Sequence, residues 1–503
     1  MSLLAIDMGS SSCKAAAFSD GGRILASQAY SYLPTIPRPS WAEISPHKFW
    51  EALQTVIRAV ASETERDPIE VLSISAHGET FVPVDSNLQP IGAAILNMDN
   101  RAVAQSDWLS ARLGRACIFE ITGLTPHPMY PIPKILWLRE NQKETYYAAA
   151  KLLGVADYLL TRLDLPAYID YSHASRFLAF DIRQRCWSEK ILSACDLRPD
   201  QFSAAVPAGT VAGRLTSATA NHLGLPGGVL VVVGGHDQPC AALASAVAAM
   251  GSACASLGTY ECLLTGSEKP SLNDIALGAN LNTSCHVVPD RFVTLAYFPA
   301  GVMLEWFVRL LHQNHPSDGT VSASEEYAAL DSQAPEGPSG LCITPHLFGT
   351  CNPDFNPKAS GVILGIRPST TRSDIYKGIL EGIAFEFTSM TELLQRVSGP
   401  FESISVTGGG CRSRLGLKLR ASLAGRPLQL MQCPDAVCLG TAILASVAAG
   451  KYAGFPEAMQ NMVKAGETIH PDPALAEAYR AQLNQYRLLY SSLSAVREAQ
   501  AAS

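Results

Sequence analysis

The stretch from Val229 to Ala244, VLVVVGGHDQPCAALA, constrains this chain more than any other. Five apolar residues, mostly β-branched, run into two glycines. His236, Asp237 and Gln238 follow, then a proline and an Ala/Leu run of helical composition. A buried strand that breaks at glycine, presents one carboxylate and restarts as a helix is how α/β proteins set a functional group at a strand's C-terminal end. The stretch lies near the middle of a 503-residue chain, long enough for two large domains. It predicts an α/β protein whose two halves meet there.

Glycine-rich turns punctuate both halves. Residues 3–7, LLAID, read as a short buried strand ending in Asp7. Gly9, Ser10, Ser11, Ser12 and Lys14 follow, and then two strands joined at Asp20-Gly21-Gly22. Backbone N–H groups in such a turn, beside three hydroxyls and a lysine, can cradle phosphate oxygens; an ordinary surface turn is the alternative. Lys14 reads equally as a phosphate contact or a solvated strand residue. In the second half, CASLGTYECLLT at 254–265 repeats strand, turn, strand, with Gly258-Thr259-x-x-Cys262 echoing Gly9-Ser10-x-x-Cys13. Further on, ISVTGGGCRSRLGLKLRASL is strand, triple glycine (Gly408, Gly409, Gly410), then helix, with Ser413 at the junction. A backbone that close before a helix N-terminus suits a nucleotide.

Two other strand ends carry polar groups. VLSISA runs into His77, Gly78, Glu79 and Thr80; His77 and Glu79, two apart, face the same side if they lie on a strand. The strand around IGAAIL exits at Asp99 and Arg101, which read as a structural ion pair or as a ligand contact. Helices are predicted over 46–64, 129–165, 299–313, 373–397, 435–449 and 474–500, with two short strands around Ser172–Arg176.

Composition removes several classes of function. The net charge is −7 and there is no basic tract, against nucleic acid or an anionic membrane as partner. No run reaches the ~18 apolar residues of a membrane span, and no signal-peptide pattern opens the sequence. The 13 cysteines are odd in number and form no C-x-x-C pair, as expected of reduced thiols in a cytoplasmic enzyme.

At this level of detail the sequence resembles the FGGY carbohydrate kinases, a branch of the actin-like ATPase superfamily. Met129–Asn141, MYPIPKILWLREN, fits the family's first signature. Gly361–Leu380 fits the second apart from Gly378, where Ala or Ser is usual. DMGSSSCK and Leu257-Gly258-Thr259 resemble the two phosphate loops, and Gly408–Gly410 with AGRP at 424–427 resembles the adenosine-binding segment. The resemblance implies two RNase H-like lobes of mixed sheets flanked by helices, with a cleft between them. Residues 1–246 would form the N-terminal lobe, with sugar binding and the first phosphate loop. Residues 247–503 would carry the second phosphate loop and the adenosine site. It further implies ATP and Mg²⁺ as cofactors, Asp237 as general base toward a sugar hydroxyl, and Asp7 as the carboxylate that orients the metal. Phosphoryl transfer needs in-line positioning, charge neutralisation and a proton acceptor, and these residue types can supply them.

The substrate side is mixed. Glu79-Thr80 and Gln238 resemble glycerol kinases, while Gly78 stands where those carry Arg. Asp99-x-Arg101 resembles pentulose kinases, Asn97 stands where Trp is usual, and Met129 where glycerol kinases have Tyr. The candidate pocket is therefore His77, Gly78, Glu79, Asp99, Arg101, Asp237 and Gln238, for a small acyclic or open-chain ketose or polyol. His236 reads as a structural histidine or as a group that tunes Asp237. Lys418 and Ser422 replace common Gln and Asp in the adenosine-side helix. A homodimer is left open. The competing readings are a catalytically idle sugar sensor or scaffold, which retention of Asp7 and Asp237 argues against, and a kinase of a non-sugar alcohol.

Overall fold

The computed structural model describes residues 2–247, 251–312, 323–433 and 435–493. Two mixed sheets organise it. The first contains β1 (Ser2–Met8), β2 (Ser12–Phe18), β3 (Ile24–Ser31), β4 (Ile69–Ala76), β5 (Val211–Arg214) and β6 (Leu230–His236), in the order β5-β6-β4-β1-β2-β3. The second contains β7 (Ala253–Leu257), β8 (Tyr260–Ser267), β9 (Asn282–Cys285), β10 (Phe292–Pro299), β11 (Ile404–Thr407), β12 (Leu428–Met431) and β13 (Ala465–Ile469), in the order β9-β10-β8-β7-β11-β12-β13.

The two sheets repeat one plan. Read as β3-β2-β1-β4-β6-β5 and as β10-β8-β7-β11-β12-β13, each runs antiparallel, antiparallel, parallel, parallel, antiparallel. The echo between the two Gly turns is thus topological. Its cysteines are not equivalent, because Met8 pairs with Cys13 whereas Leu257 pairs with Glu261. The second turn is one residue tighter, which shifts Cys262 by one and, at period two, to the other face.

Around the first sheet lie α1 (Pro46–Glu63), α3 (Tyr171–Ser175) and α4 (Asp237–Ala244), while α2 (Pro131–Asn141) packs in a neighbouring core with Phe81, Ile95 and Leu109. Helices α5 (Gly301–His312), α6 (Arg372–Ser398), α7 (Arg414–Ala424) and α8 (Ala436–Ala448) belong to the second half. Strand alternation decides where Asp7 goes. Leu4, Ile6 and Met8 pack on Phe49, Leu53 and Ile57 of α1. Leu3 and Ala5 pack on the opposite face, with Cys240 and Leu243 of α4 and Leu439 and Ile443 of α8. Asp7 continues that second row.

Helices α4 and α8 follow equivalent strands and pack against each other between the sheets. Their approach is set by Gly440, where a Cβ would lie 1.9 Å from the Cys240 carbonyl oxygen. The Gly234-Gly235 pair serves the same end one turn earlier. A β-bulge falls between Val233 and His236, and a Cβ at Gly234 would lie 2.1 Å from Ile74 O. Only residues without side chains let the strand swing and aim Asp237 across the sheet end.

One expectation is corrected and two are completed. The predicted helix 129–165 is interrupted: after α2 and a short helix Lys143–Ala148, the segment Lys151–Gly154 is a strand paired with Phe81–Val84. Cross-strand pairing there overrides a locally helical composition. Between the two short strands predicted near Ser172 lies α3, which Asp170 caps by accepting from Ser172 N and His173 N. The predicted C-terminal helix begins at Pro473 and is described to Ser492; its last predicted residues lie outside the described residues. All 13 cysteines are free thiols. Among the described residues, no helix is long and apolar enough to cross a membrane.

Candidate active site

Three carboxylates converge where the sheets meet. Asp7 ends β1, Asp237 opens α4, and Asp435 caps α8, accepting from Cys438 N at 3.3 Å. Burial pushes the Asp7 carboxyl up to about 7, with Asp237 and Asp435 adding to it and Lys14 opposing. Burial and then Glu79 push Asp237 up to about 6, against the Gln238 amide, which donates to Asp237 Oδ1 at 2.5 Å. Lys14 is half exposed, with Nζ 3.7 Å from Asp435 Oδ2; it bridges the two halves of the chain. Mutual repulsion among oxygen donors is the condition a hard divalent cation relieves, and Mg²⁺ keeps several of its own waters and takes only one or two carboxylates. The residues therefore fit Mg²⁺, although no three His, Cys, Asp or Glu side chains among the described residues make a ready cage.

The two Gly turns flank this group. In the first, Gly9 N–H donates to Ser12 O at 2.8 Å, and Tyr32 OH donates to Gly9 O. Gly9 thus holds the turn, while Ser10, Ser11 and Ser12 form its rim. In the second, Gly258 O and Thr259 O accept from Gly301 N and Val302 N at the start of α5, and Thr259 Oγ1 donates to Glu305 at 3.4 Å. The triple glycine lies against this turn. Gly408 has φ +97°, and a Cβ there would meet Leu257 O at 2.6 Å; a Cβ at Gly410 would meet Leu257 Cβ at 2.8 Å.

A cavity of about 390 Å³ opens between Gly258, Thr259, Gly409, Gly410 and Ser413, a volume in the range of small-ligand sites. Ser413 caps α7 through Gly416 N, and its hydroxyl donates to Asp331. Tyr376 OH donates to Asp331 at 2.6 Å. Inside the same wall, Arg420 pairs with Glu261, both nearly fully buried. Sequence reading missed Asp331, Tyr376, Glu261, Glu305 and Arg420. Glu261 alone left a signal, as a charge on an otherwise apolar strand.

The sugar-side candidates divide into two groups. Strand β4 stops at Ala76, so His77 and Glu79 are not strand neighbours sharing a face. His77 is a pin: its Nδ1 meets Met8 O at 2.9 Å and its Nε2 meets Thr80 Oγ1 at 3.0 Å. The carbonyl can only accept, so Nδ1 carries the proton; burial holds the ring neutral, down to about 4. Asp99 and Arg101 form a closed ion pair with no side-chain exposure. Asp99 also accepts from Ala42 N at 2.6 Å, and Arg101 lies between the rings of Trp41 and Trp137 while reaching Glu43 at 2.6 Å. Neither offers side-chain surface to a ligand in this conformation.

Gly78, Glu79, Asp237 and Gln238 do come together, joined by two groups that were not among the expected site residues. One is Arg176, whose Nε donates to Glu79 Oε1 at 2.5 Å. The other is Lys134, fully buried, which donates to Glu79 O at 3.0 Å and Leu96 O at 2.5 Å. Glu79 itself has φ +61°, a costly conformation for a non-glycine residue that persists where surroundings impose it. Gln238 Oε1 is buried without a hydrogen-bond partner among the described residues.

His236 Nε2 lies 3.2 Å from Asp237 Oδ1. Burial, then Arg176, His173 and His77, hold its imidazole well below the usual range, hence neutral. Its backbone N–H donates to Ser172 Oγ at 2.9 Å. His173 beside it is the opposite case. Burial opposes its charge, but Asp170 at 2.6 Å and Ala76 O at 2.9 Å outweigh that and raise it.

Known proteins give this geometry a context. The N-terminal domain profile of the FGGY family of carbohydrate kinases matches residues 2–244, and its C-terminal domain profile matches 253–449. The xylulose kinase of Escherichia coli is 27% identical over 499 residues, covering 97% of this chain and 99% of that one. The gluconokinase of Bacillus subtilis is 25% identical over 511 residues, covering 99% and 98%. Ligand-bound xylulose kinase from Lactobacillus acidophilus superposes with a TM-score of 0.89 at 20% identity, over 99% of each chain. The fold is the two-lobed actin-like ATPase fold.

Proposed function

The chain belongs to the FGGY family of carbohydrate kinases, ATP-dependent phosphotransferases, and from that we propose that it transfers the γ-phosphoryl group of ATP to a hydroxyl of a small ketose, pentulose or polyol, with Asp237 as general base. The observation that carries the reading is the position of Asp237. It stands at a helix N-terminus, part-buried and interacting with Asp7 on one side and Glu79 on the other, with a carboxyl pushed up to about 6. A carboxylate with that value is ionised at neutral pH yet basic enough to accept a hydroxyl proton as the O–P bond forms.

The remaining roles follow from chemistry. Residues 1–246 bind the sugar and carry the first phosphate turn; residues 247–503 carry the second phosphate turn and bind adenosine. Ser10, Ser11 and Ser12, with Gly258 and Thr259, present backbone and hydroxyl donors to the phosphates, and Lys14 adds a positive charge. Gly408–Gly410 and Ser413 line the adenosine side. Asp7 would hold Mg²⁺, with Asp435 close by; when bound, the ion neutralises charge on the phosphate oxygens. Glu79 and Gln238 orient the sugar, and Gly78 leaves them room. His77, Asp99 and Arg101 act by fixing the strand ends that carry these groups.

The test is an ADP-release screen of the purified protein over ketoses, aldoses and polyols. Turnover with one class and none with water alone is expected. Release with no sugar or polyol would overturn the reading.

A further inference from the structure

Residue 78 has no side chain, and the space is filled from elsewhere. A Cβ on Gly78 would lie 2.9 Å from Arg176 Cγ and 2.9 Å from His236 Cδ2 and Nε2. Arg176 therefore enters beside the histidine that contacts Asp237. It comes from the C-terminal end of α3, 97 residues from Glu79 in sequence. Its side chain is 8% exposed and that of Glu79 6%. The guanidinium stacks on the Tyr130 ring at 5.4 Å. Its Nε is taken by Glu79 Oε1 and the guanidinium also hydrogen-bonds the Tyr130 hydroxyl; among the described residues no second carboxylate pairs with it, and its remaining N–H donors are not held by an ion pair.

Resting on the assignment of Asp237 as base, we propose that Glu79 and Arg176 form a clamp for two adjacent hydroxyls of the acceptor, which makes Arg176 a specificity-determining residue and a neutral sugar or polyol the preferred class. Glu79 accepts from one hydroxyl and the terminal nitrogens of Arg176 donate to the next, so a diol satisfies both halves of the pair. Tyr297 of the second half lies near the same pair; burial, then Cys351, Tyr130 and Glu79, keep its phenol protonated. Charge decides the substrate class. Arg176 is offset by Glu79, His236 is neutral, Asp237 is negative, and Lys134 is turned onto backbone carbonyls. No uncompensated cation remains for the carboxylate of a sugar acid, and desolvating a carboxylate beside Glu79 and Asp237 is unfavourable.

The experiment uses Arg176→Met, Glu79→Gln and the double variant, which leaves no lone buried charge, each checked for thermal unfolding and ADP binding. Steady-state rates are measured with the best neutral substrate, its analogue lacking one of the adjacent hydroxyls, and the matching sugar acid. Wild type is expected to prefer the neutral sugar and to lose about 10- to 100-fold in kcat/KM with the deoxy analogue, the value of a hydrogen bond to a charged group. Arg176→Met should raise KM by a similar factor, keep ADP affinity, and lose no further activity on the deoxy analogue. A merely structural arginine would not abolish that penalty. Folded variants that keep both the wild-type KM and the full deoxy penalty overturn the clamp alone, as does a wild type that uses the sugar acid equally well. A wild type that turns over no sugar or polyol overturns the kinase reading and the clamp with it.

Discussion

His236 Nε2 sits 3.2 Å from Asp237 Oδ1, and the imidazole that makes this contact is neutral. A charged partner would pull the carboxylate's pKa down and weaken it as a base; a neutral ring packed beside it leaves it basic. Asp237→Asn keeps the shape and the helix N-terminus but removes the basic oxygen. We expect kcat to fall by about 10²- to 10⁴-fold, with ADP affinity by calorimetry unchanged. Near-wild-type turnover would rule out the base assignment.

The acid limb of the pH profile tests the same group differently. Asp237 titrates at about 6 and Asp7 at about 7, and their coupling makes the limb a property of the pair. Both must be ionised, one to take a proton and one to face a cation. The log of kcat/KM for the sugar should therefore fall on going from pH 8 to pH 5, half-maximal near the higher value of about 7 and steepening below about 6 as the second proton binds. A profile flat down to pH 5 would exclude both from the chemistry.

Asp7 also has a consequence for stability. Its folded value of about 7 lies above the ordinary carboxyl value of 3.8, so the native state prefers the acid form. The stabilisation from that preference is complete below about 3.8 and is lost as pH rises through about 7. At pH 8 the buried carboxylate opposes folding. Asp7→Asn should then be more stable than wild type by about 1–3 kcal/mol in metal-free buffer, with the gain vanishing near pH 4. Urea midpoints at the two pH values check this, and Mg²⁺ with ADP should shrink the gain by stabilising wild type alone. A destabilised variant at pH 8 would contradict the sign.

What the sequence disclosed was local. The run Val229–Ala244, the hairpin after Asp7 and the triple glycine are strand–turn–helix signals carried within one window, and each forms as read. What it hid was pairing between distant windows. Lys151–Gly154 has the composition of the helices around it and becomes a strand only because Phe81–Val84 pairs with it. His77 and Glu79 looked like strand neighbours, but the strand ends at Ala76 and Glu79 turns to positive φ. Arg176 follows ordinary helix-forming residues and gains its meaning from Gly78, whose missing side chain is a vacancy visible only in three dimensions. Asp99 and Arg101 were correctly paired with each other, and burial between two tryptophans is what keeps them from the cleft.

The nucleotide wall can be probed at Asp331, which holds Tyr376 and Ser413 together. Asp331→Ala strands both hydroxyls at the pocket edge. We expect KM for ATP to rise about 10-fold, the worth of one or two hydrogen bonds to a charged group, while KM for the sugar is unchanged. Equal changes in both constants would mean that the residue acts on lobe geometry instead of on the nucleotide.

Gly440 tests whether the helix pair sets the position of the base. A Cβ there would lie 1.9 Å from Cys240 O, and the obstacle is backbone, which cannot rotate away as a side chain can. Gly440→Ala must push α8 off α4, and α4 carries Asp237 at its first turn. Overpacking of this kind costs about 1–3 kcal/mol, so the urea midpoint should drop. The displacement should also lower kcat more than it raises either KM, because misplacing the base by a fraction of an ångström affects the transition state more than binding. Gly450, also in α8's neighbourhood but with φ +74° and no heavy atom near its absent Cβ, is the control: Gly450→Ala should lose stability from backbone strain alone and leave kcat intact. Equal kcat in the two variants would detach the helix contact from catalysis.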